Sequence, residues 1–201
     1  MRGRLIDLVS QSDLIVVGTV ESVRPIDGRV HDTTVRPHDS FVGTAGADPI
    51  IFRAKRRFAP GERFVFFLRR DGGGWECVQP AGTVFPSRPV DDAAYRATVV
   101  AIQRALSVDA AERPAALRAA IIPAVSATAP PLRYHAVLEL GALAHHGLTD
   151  TERQSLQRLV VDPATDAAIR PILASLLSGE ADPRSDAIEA PPERRNQNAS
   201  R

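Results

Sequence analysis

"FAPGERFVFFLRRDGGGWECV", Phe58–Val78, is the stretch whose reading decides the fold. "APGE" is a turn, because Pro60 presets φ and Gly61 accepts a positive φ. "RFVFFLRR" is an aromatic strand, "DGGG" a hairpin loop, and "WECVQP" the returning strand. This hairpin carries the only Trp and the only Cys of the chain. Along the first strand Phe64, Phe66 and Leu68 alternate with Val65 and Phe67, so both faces are apolar. One face fills the inside of a small barrel. The other needs cover, because an exposed row of aromatics would form a patch. Packing by neighbouring helices is the expected cover; a ligand or partner surface with Trp75 at its edge is the alternative.

Working outward, "GRLIDLVSQSD" (Gly3–Asp13) spaces Leu5, Ile6, Leu8 and Val9 as a short helix. "DLIVVGTVESV" (Asp13–Val23) is rich in β-branched residues and predicts a strand, with Gly18 marking a bulge or bend. Arg24–Asp48 is polar and broken by Pro and Gly, and "TTVRP" and "SFVGT" are expected to be two short, weak strands within it. "PIIFRAKRRF" (Pro49–Phe58) predicts a strand with a basic end. "GTVFPSRP" is a last short strand or exit loop.

From Asp91 the composition shifts to Ala and Leu and the period becomes helical. Tyr95, Val99, Ile102 and Leu106 share a face of a first helix. "AERPAALRAAIIPAV" is a second, with Pro114 in its first turn. A third follows Pro130 and Pro131 and stops at Gly147. A fourth opens on a Thr149–Glu152 capping box, and a fifth ends at Gly179. The layout expected is α+β: an antiparallel OB-like β-barrel over residues 1–90, a stack of about five helices over 91–179, and a disordered, Pro-rich tail over 180–201.

The helix leading into "SDLIVVGTVESV" and the later "FAPGERFVFFLRRDGGGW" resemble a family of bacterial netrin-like modules. These are small five-stranded barrels of the OB type, similar to the domain of tissue inhibitors of metalloproteinases. The resemblance covers roughly residues 3–90, and the helices that follow are similar to degenerate HEAT-like pairs. It implies an exported or envelope protein and brings no catalytic residues. The expected strand ending in Leu-Lys-Gly is missing near residues 31–45, which predicts a shortened or degenerate middle of the barrel.

Composition excludes little. The 201 residues carry a net charge of +1, with 44% apolar and 24% charged residues, as in an ordinary globular protein. Residues 1–90 hold 13 basic and 10 acidic residues, net +3, so the cationic excess lies in the N-terminal half. One cysteine excludes an internal disulfide and a multi-cysteine zinc site. No stretch approaches the roughly 20 apolar residues of a membrane helix. The start lacks a seven-residue apolar core of an export signal.

Candidate chemistry is sparse. Arg53, Lys55 and Arg57 alternate onto one strand face and, with Phe64, Phe66 and Trp75, form the candidate binding surface. Phosphate contacts and base stacking could there hold a nucleic-acid strand, although net +3 is small for that mode. "VHDTTVRPHD" places His31–Asp32 and His38–Asp39 seven residues apart in a polar loop, where His and carboxylate could ligate a metal and serve a hydrolase. His145 and His146 close a helix, and His135 lies about three turns away. Cys77 has no neighbouring base. Ser10, Ser12 and Ser40 lack a nucleophile-elbow pattern, and no glycine loop cradles phosphate or a cofactor. The function expected is a non-enzymatic protein–protein interaction or scaffold module with a protein partner and no cofactor. Single-stranded nucleic-acid or oligosaccharide binding is the alternative.

Overall fold

The computed structural model describes residues 4–80, 83–144 and 147–179. The tail expected over 180–201 and the pair His145–His146 lie outside the described residues. Helix α1 (Leu5–Gln11) leads into five strands: β1 (Leu14–Pro25), β2 (His31–Val42), β3 (Ile50–Ala54), β4 (Arg63–Asp71) and β5 (Gly74–Cys77). They close into a barrel in the order β1-β2-β3-β5-β4. All pairings are antiparallel except β3 with β5, which is parallel. The OB-like barrel is therefore not wholly antiparallel. Gly72 and Gly73 turn the β4–β5 hairpin with φ of +53° and +94°, values that only glycine adopts cheaply.

The middle of the barrel is not shortened. In place of two weak strands, β2 is one continuous strand of 12 residues that pairs with β1 and β3. Its apolar alternation is thin, because only Thr33, Val35 and Phe41 are fully buried. Pro37 is tolerated because it sits opposite Gly18, where the β1–β2 register slips. At Gly18 a Cβ would meet Val35 Cγ1 at 2.4 Å and the Arg36 carbonyl oxygen at 2.7 Å. The glycine thus lets β2 fold down tightly over β1. Gly18→Ala is expected to cost about 1–3 kcal/mol by overpacking. Gly28→Ala, where a new Cβ meets nothing within 4 Å, should stay within about 0.5 kcal/mol. Urea midpoints of the two variants check this, and equal losses would refute it.

Five helices follow: α2 (Asp92–Leu106), α3 (Arg113–Ile121), α4 (Pro130–Leu143), α5 (Asp150–Val161) and α6 (Arg170–Ser178). Their starts obey the sequence. Pro lies in the first turn of α3, α4 and α6. Thr149 and Glu152 form the capping box of α5 through bonds of 3.2 Å and 2.7 Å. Glu152 also accepts from Arg118 at 2.9 Å, tying α5 to α3 through a guanidinium that is 4% exposed.

Two cores share one wall, and the wall is β1 and β4. Phe64, Phe66 and Leu68 point into the barrel with Leu14, Val16, Val20, Val35, Phe52 and Phe58. Val65 and Phe67 point outward with Ile15 and Val17, into a second core built with α1 and the C-terminal helices. The five residues Phe64–Leu68 are all buried. The aromatic strand is therefore core on both faces, and the helices supply its cover. Phe85, on the exit segment, lies where the two halves meet. Its ring packs on Phe67 at 5.2 Å, Tyr95 at 6.2 Å and His135 at 4.5 Å. Beside it Arg63 grips Asp92 at 2.8 Å and Ser87 at 3.2 Å, and the Tyr95 hydroxyl donates to the Pro86 carbonyl at 3.1 Å.

Candidate functional site

An open cleft of about 740 Å³ is lined by Asp27, Gly28, Arg29, Val30, His31, Lys55 and Arg57. The β1–β2 turn and the segment leaving β3 make its two walls. The turn is set by Asp27, whose Oδ1 accepts from the amides of Arg29 at 2.7 Å and Val30 at 2.8 Å. An Asx turn of this kind is what Asp followed by Gly favours. Those two amides hold the Asp27 carboxyl below its usual range, so it stays ionised. On the far wall Ala54 is buried while Lys55 and Arg57 are exposed.

The cations of the barrel divide into two groups. Arg24 pairs with Asp32 at 3.0 Å, Arg36 with Glu21 at 2.6 Å, Arg69 with Glu76 at 3.0 Å, and Arg63 with Asp92. Arg70 lies over the Trp75 ring, 4.4 Å from its centroid. Arg53 sits in register between Asp32 on β2 and Glu76 on β5. Arg29, Lys55 and Arg57, like Arg53 and Arg70, have no ion pair among the described residues, and these three line the cleft. Against the single carboxylate Asp27, the lining carries a formal +2, where the whole chain carries +1.

The six residues of the candidate surface do not share one face. Lys55 and Arg57 reach the cleft; Arg53 lies on the outer face of β3 among acids. Phe64 and Phe66 are only 6% and 0% exposed inside the barrel, so they offer nothing to a ligand. Trp75 is half-buried, packed against the barrel core and covered on its ring by Arg70. Arg29 was not legible as a site residue because the turn that carries it reads as part of a featureless polar stretch. The Asp27–Gly28 pair, with its hairpin-turn chemistry, was the available signal.

The remaining chemistry-bearing residues are occupied by structure. The two His–Asp pairs lie within strand β2, not in a loop. Seven residues of strand separate them by roughly 20 Å at about 3.3 Å per residue, too far for one ion. Asp32 binds Arg24, Asp39 binds Arg96, and His38 Nε2 contacts Thr19 Oγ1 at 2.8 Å. Among the described residues no group of three His, Cys, Asp or Glu gathers as a metal would need. Burial pushes the Cys77 thiol up to about 12, and its sulfur donates to Gln79 Oε1 at 3.4 Å. Burial also pushes His135 down to about 4, a neutral ring stacked on Phe85. Ser10 and Ser12 donate to carbonyls of their own helix, and the Ser40 carbonyl accepts from Arg96.

No protein-family model matches the chain, and no curated protein matches it either. No helix among the described residues is long and apolar enough to cross a membrane.

Proposed function

We propose that this protein is a non-enzymatic interaction module, a barrel and a helical stack that together present a rigid surface to a protein partner. The observation that carries the reading is the use of the aromatic strand. Both of its faces are consumed by cores, so the recognisable hydrophobic and nucleophilic groups serve packing, and an open charged cleft is left for recognition. The resemblance of residues 3–90 to netrin-like modules supports this, since it brings binding folds without catalytic residues. A nucleic-acid reading draws less support. Its stacking platform would need Phe64, Phe66 and Trp75 free, and its phosphate track would need Arg24, Arg36 and Arg69 released from their carboxylates.

Affinity capture from extract of the source cells, with and without nuclease, tests the proposal. A discrete protein that is recovered at equal yield after nuclease treatment is the expected result. Recovery that collapses on nuclease treatment would replace the proposal with nucleic-acid binding.

A further inference from the structure

We infer that the cleft between the β1–β2 turn and the end of β3 docks an acidic peptide segment that carries an aliphatic residue. The inference rests on the interaction reading above and names its partner chemistry and its residues. Three observations select this occupant. The first is charge complementarity. Arg29, Lys55 and Arg57 surround the cleft without ion pairs among the described residues, while Arg24, Arg36 and Arg69 of the neighbouring strand faces pair with carboxylates. Guanidinium forks on both walls suit carboxylates, which they bind bidentately.

The second is a pair of exposed aliphatic residues on the two chain segments that wall the cleft. Ile26 begins the β1–β2 turn and is 51% exposed, and Ile51 on the outer row of β3 is 58% exposed. Among the large apolar residues described, only Val90 and Val161 are comparably exposed. Ile51, Arg53 and Lys55 alternate onto the outside of the same segment. An extended segment crossing this row would meet aliphatic and cationic side chains in turn. The third is shape. The cleft is open, and its two walls present mainly charged side chains from the turn and from the segment after β3. The contact is made by side chains, and its strength should fall as salt screens it.

The test uses the full chain and a fluorescein-labelled decapeptide of nine glutamates with one central leucine, read by anisotropy. The expected result is saturable binding that weakens with added salt. The Lys55→Glu/Arg57→Glu double variant should lose at least tenfold in affinity, and Ile26→Ser a few-fold. Arg104→Glu/Arg158→Glu, which changes net charge equally on α2 and α5, should bind as the wild type. Matching melting curves keep the comparison on folded protein. A glutamine version of the peptide that binds equally well overturns the inference. So does a decathymidylate strand that binds tighter than the peptide, or a double variant with unchanged affinity. If that double variant still captures the extract partner at full yield, the cleft assignment is lost and the interaction reading survives. If wild-type protein captures no protein at all, the interaction reading itself fails.

Discussion

Phe85→Ala separates the barrel from the helices, with an expected loss of about 3–5 kcal/mol, the range for truncating a buried Phe in a core. The residue is fully buried, and its ring contacts aromatic side chains from β4, α2 and α4. Truncation removes the transfer free energy of the ring and leaves a void lined by Phe67, Tyr95 and His135. Those side chains cannot collapse inward easily. Phe67 is fixed in a strand paired on both sides, and the Tyr95 hydroxyl is held by the Pro86 carbonyl. Phe85→Leu keeps most of the volume and should cost less, about 1.5 kcal/mol or under. Urea unfolding followed by Trp75 fluorescence and by helical circular dichroism checks both claims. In the wild type the two signals should share one transition, because one core contains residues of both halves. Two separate wild-type transitions, or an alanine variant within 1 kcal/mol of wild type, would refute the shared-wall description.

The same residue shows where reading the sequence stops. The alternation of Phe64–Leu68 says that both faces of β4 are buried, and the structure agrees. What covers the outer face is a tertiary fact. Phe85 sits in the irregular segment 83–85, with no periodicity to mark it as central. Helix starts were legible because Pro and the Thr149–Glu152 box act locally. Strand β2 was not legible as one element. Pro37 reads as a breaker, and only its partner Gly18, 19 residues earlier, makes it acceptable. The cationic cleft was half legible. Lys55 and Arg57 stand out in the sequence, but which arginines keep a free charge depends on cross-strand neighbours such as Asp32, Glu21 and Glu76. Phe64 and Phe66 were misplaced on the candidate surface for the converse reason. Alternation assigns residues to faces, but closure of the barrel decides which face is inside.

Glu139→Gln should change how stability depends on pH, and the sign follows from where the carboxylate lies. Glu139 is on α4, 2% exposed, and its Oε1 accepts from the Ile6 amide at 3.2 Å. Helix α1 has no side-chain cap of its own, because Arg4 stands at its N-cap. A carboxyl 133 residues away in sequence therefore satisfies an amide of its first turn. Burial raises the Glu139 carboxyl to about 7, helped by the Asp7 charge and opposed by the Ile6 and Leu5 amides and by Arg4. The folded chain thus binds a proton that the unfolded chain releases near pH 4.5. Stability from this group is complete below about 4.5 and is lost as pH rises to about 7. The total is about 3 kcal/mol, at about 1.4 kcal/mol per unit. His135, one turn away on α4, works the other way. Its folded value of about 4 against 6.5 means stability rises with pH over that window. Wild-type protein should therefore show a nearly flat profile between pH 5 and 6.5. The glutamine side chain still accepts from Ile6 but does not ionise. Its variant should gain on the wild type by about 3 kcal/mol between pH 4.5 and 8, because the His135 contribution cancels in the difference. Asp91, Asp92 and Glu152, all lowered by their partners, act only at lower pH. Chemical denaturation of both proteins at half-unit pH steps measures the difference directly. A constant offset across that range would mean that Glu139 does not titrate on folding, and that the cap on α1 is made by an ionised carboxylate throughout.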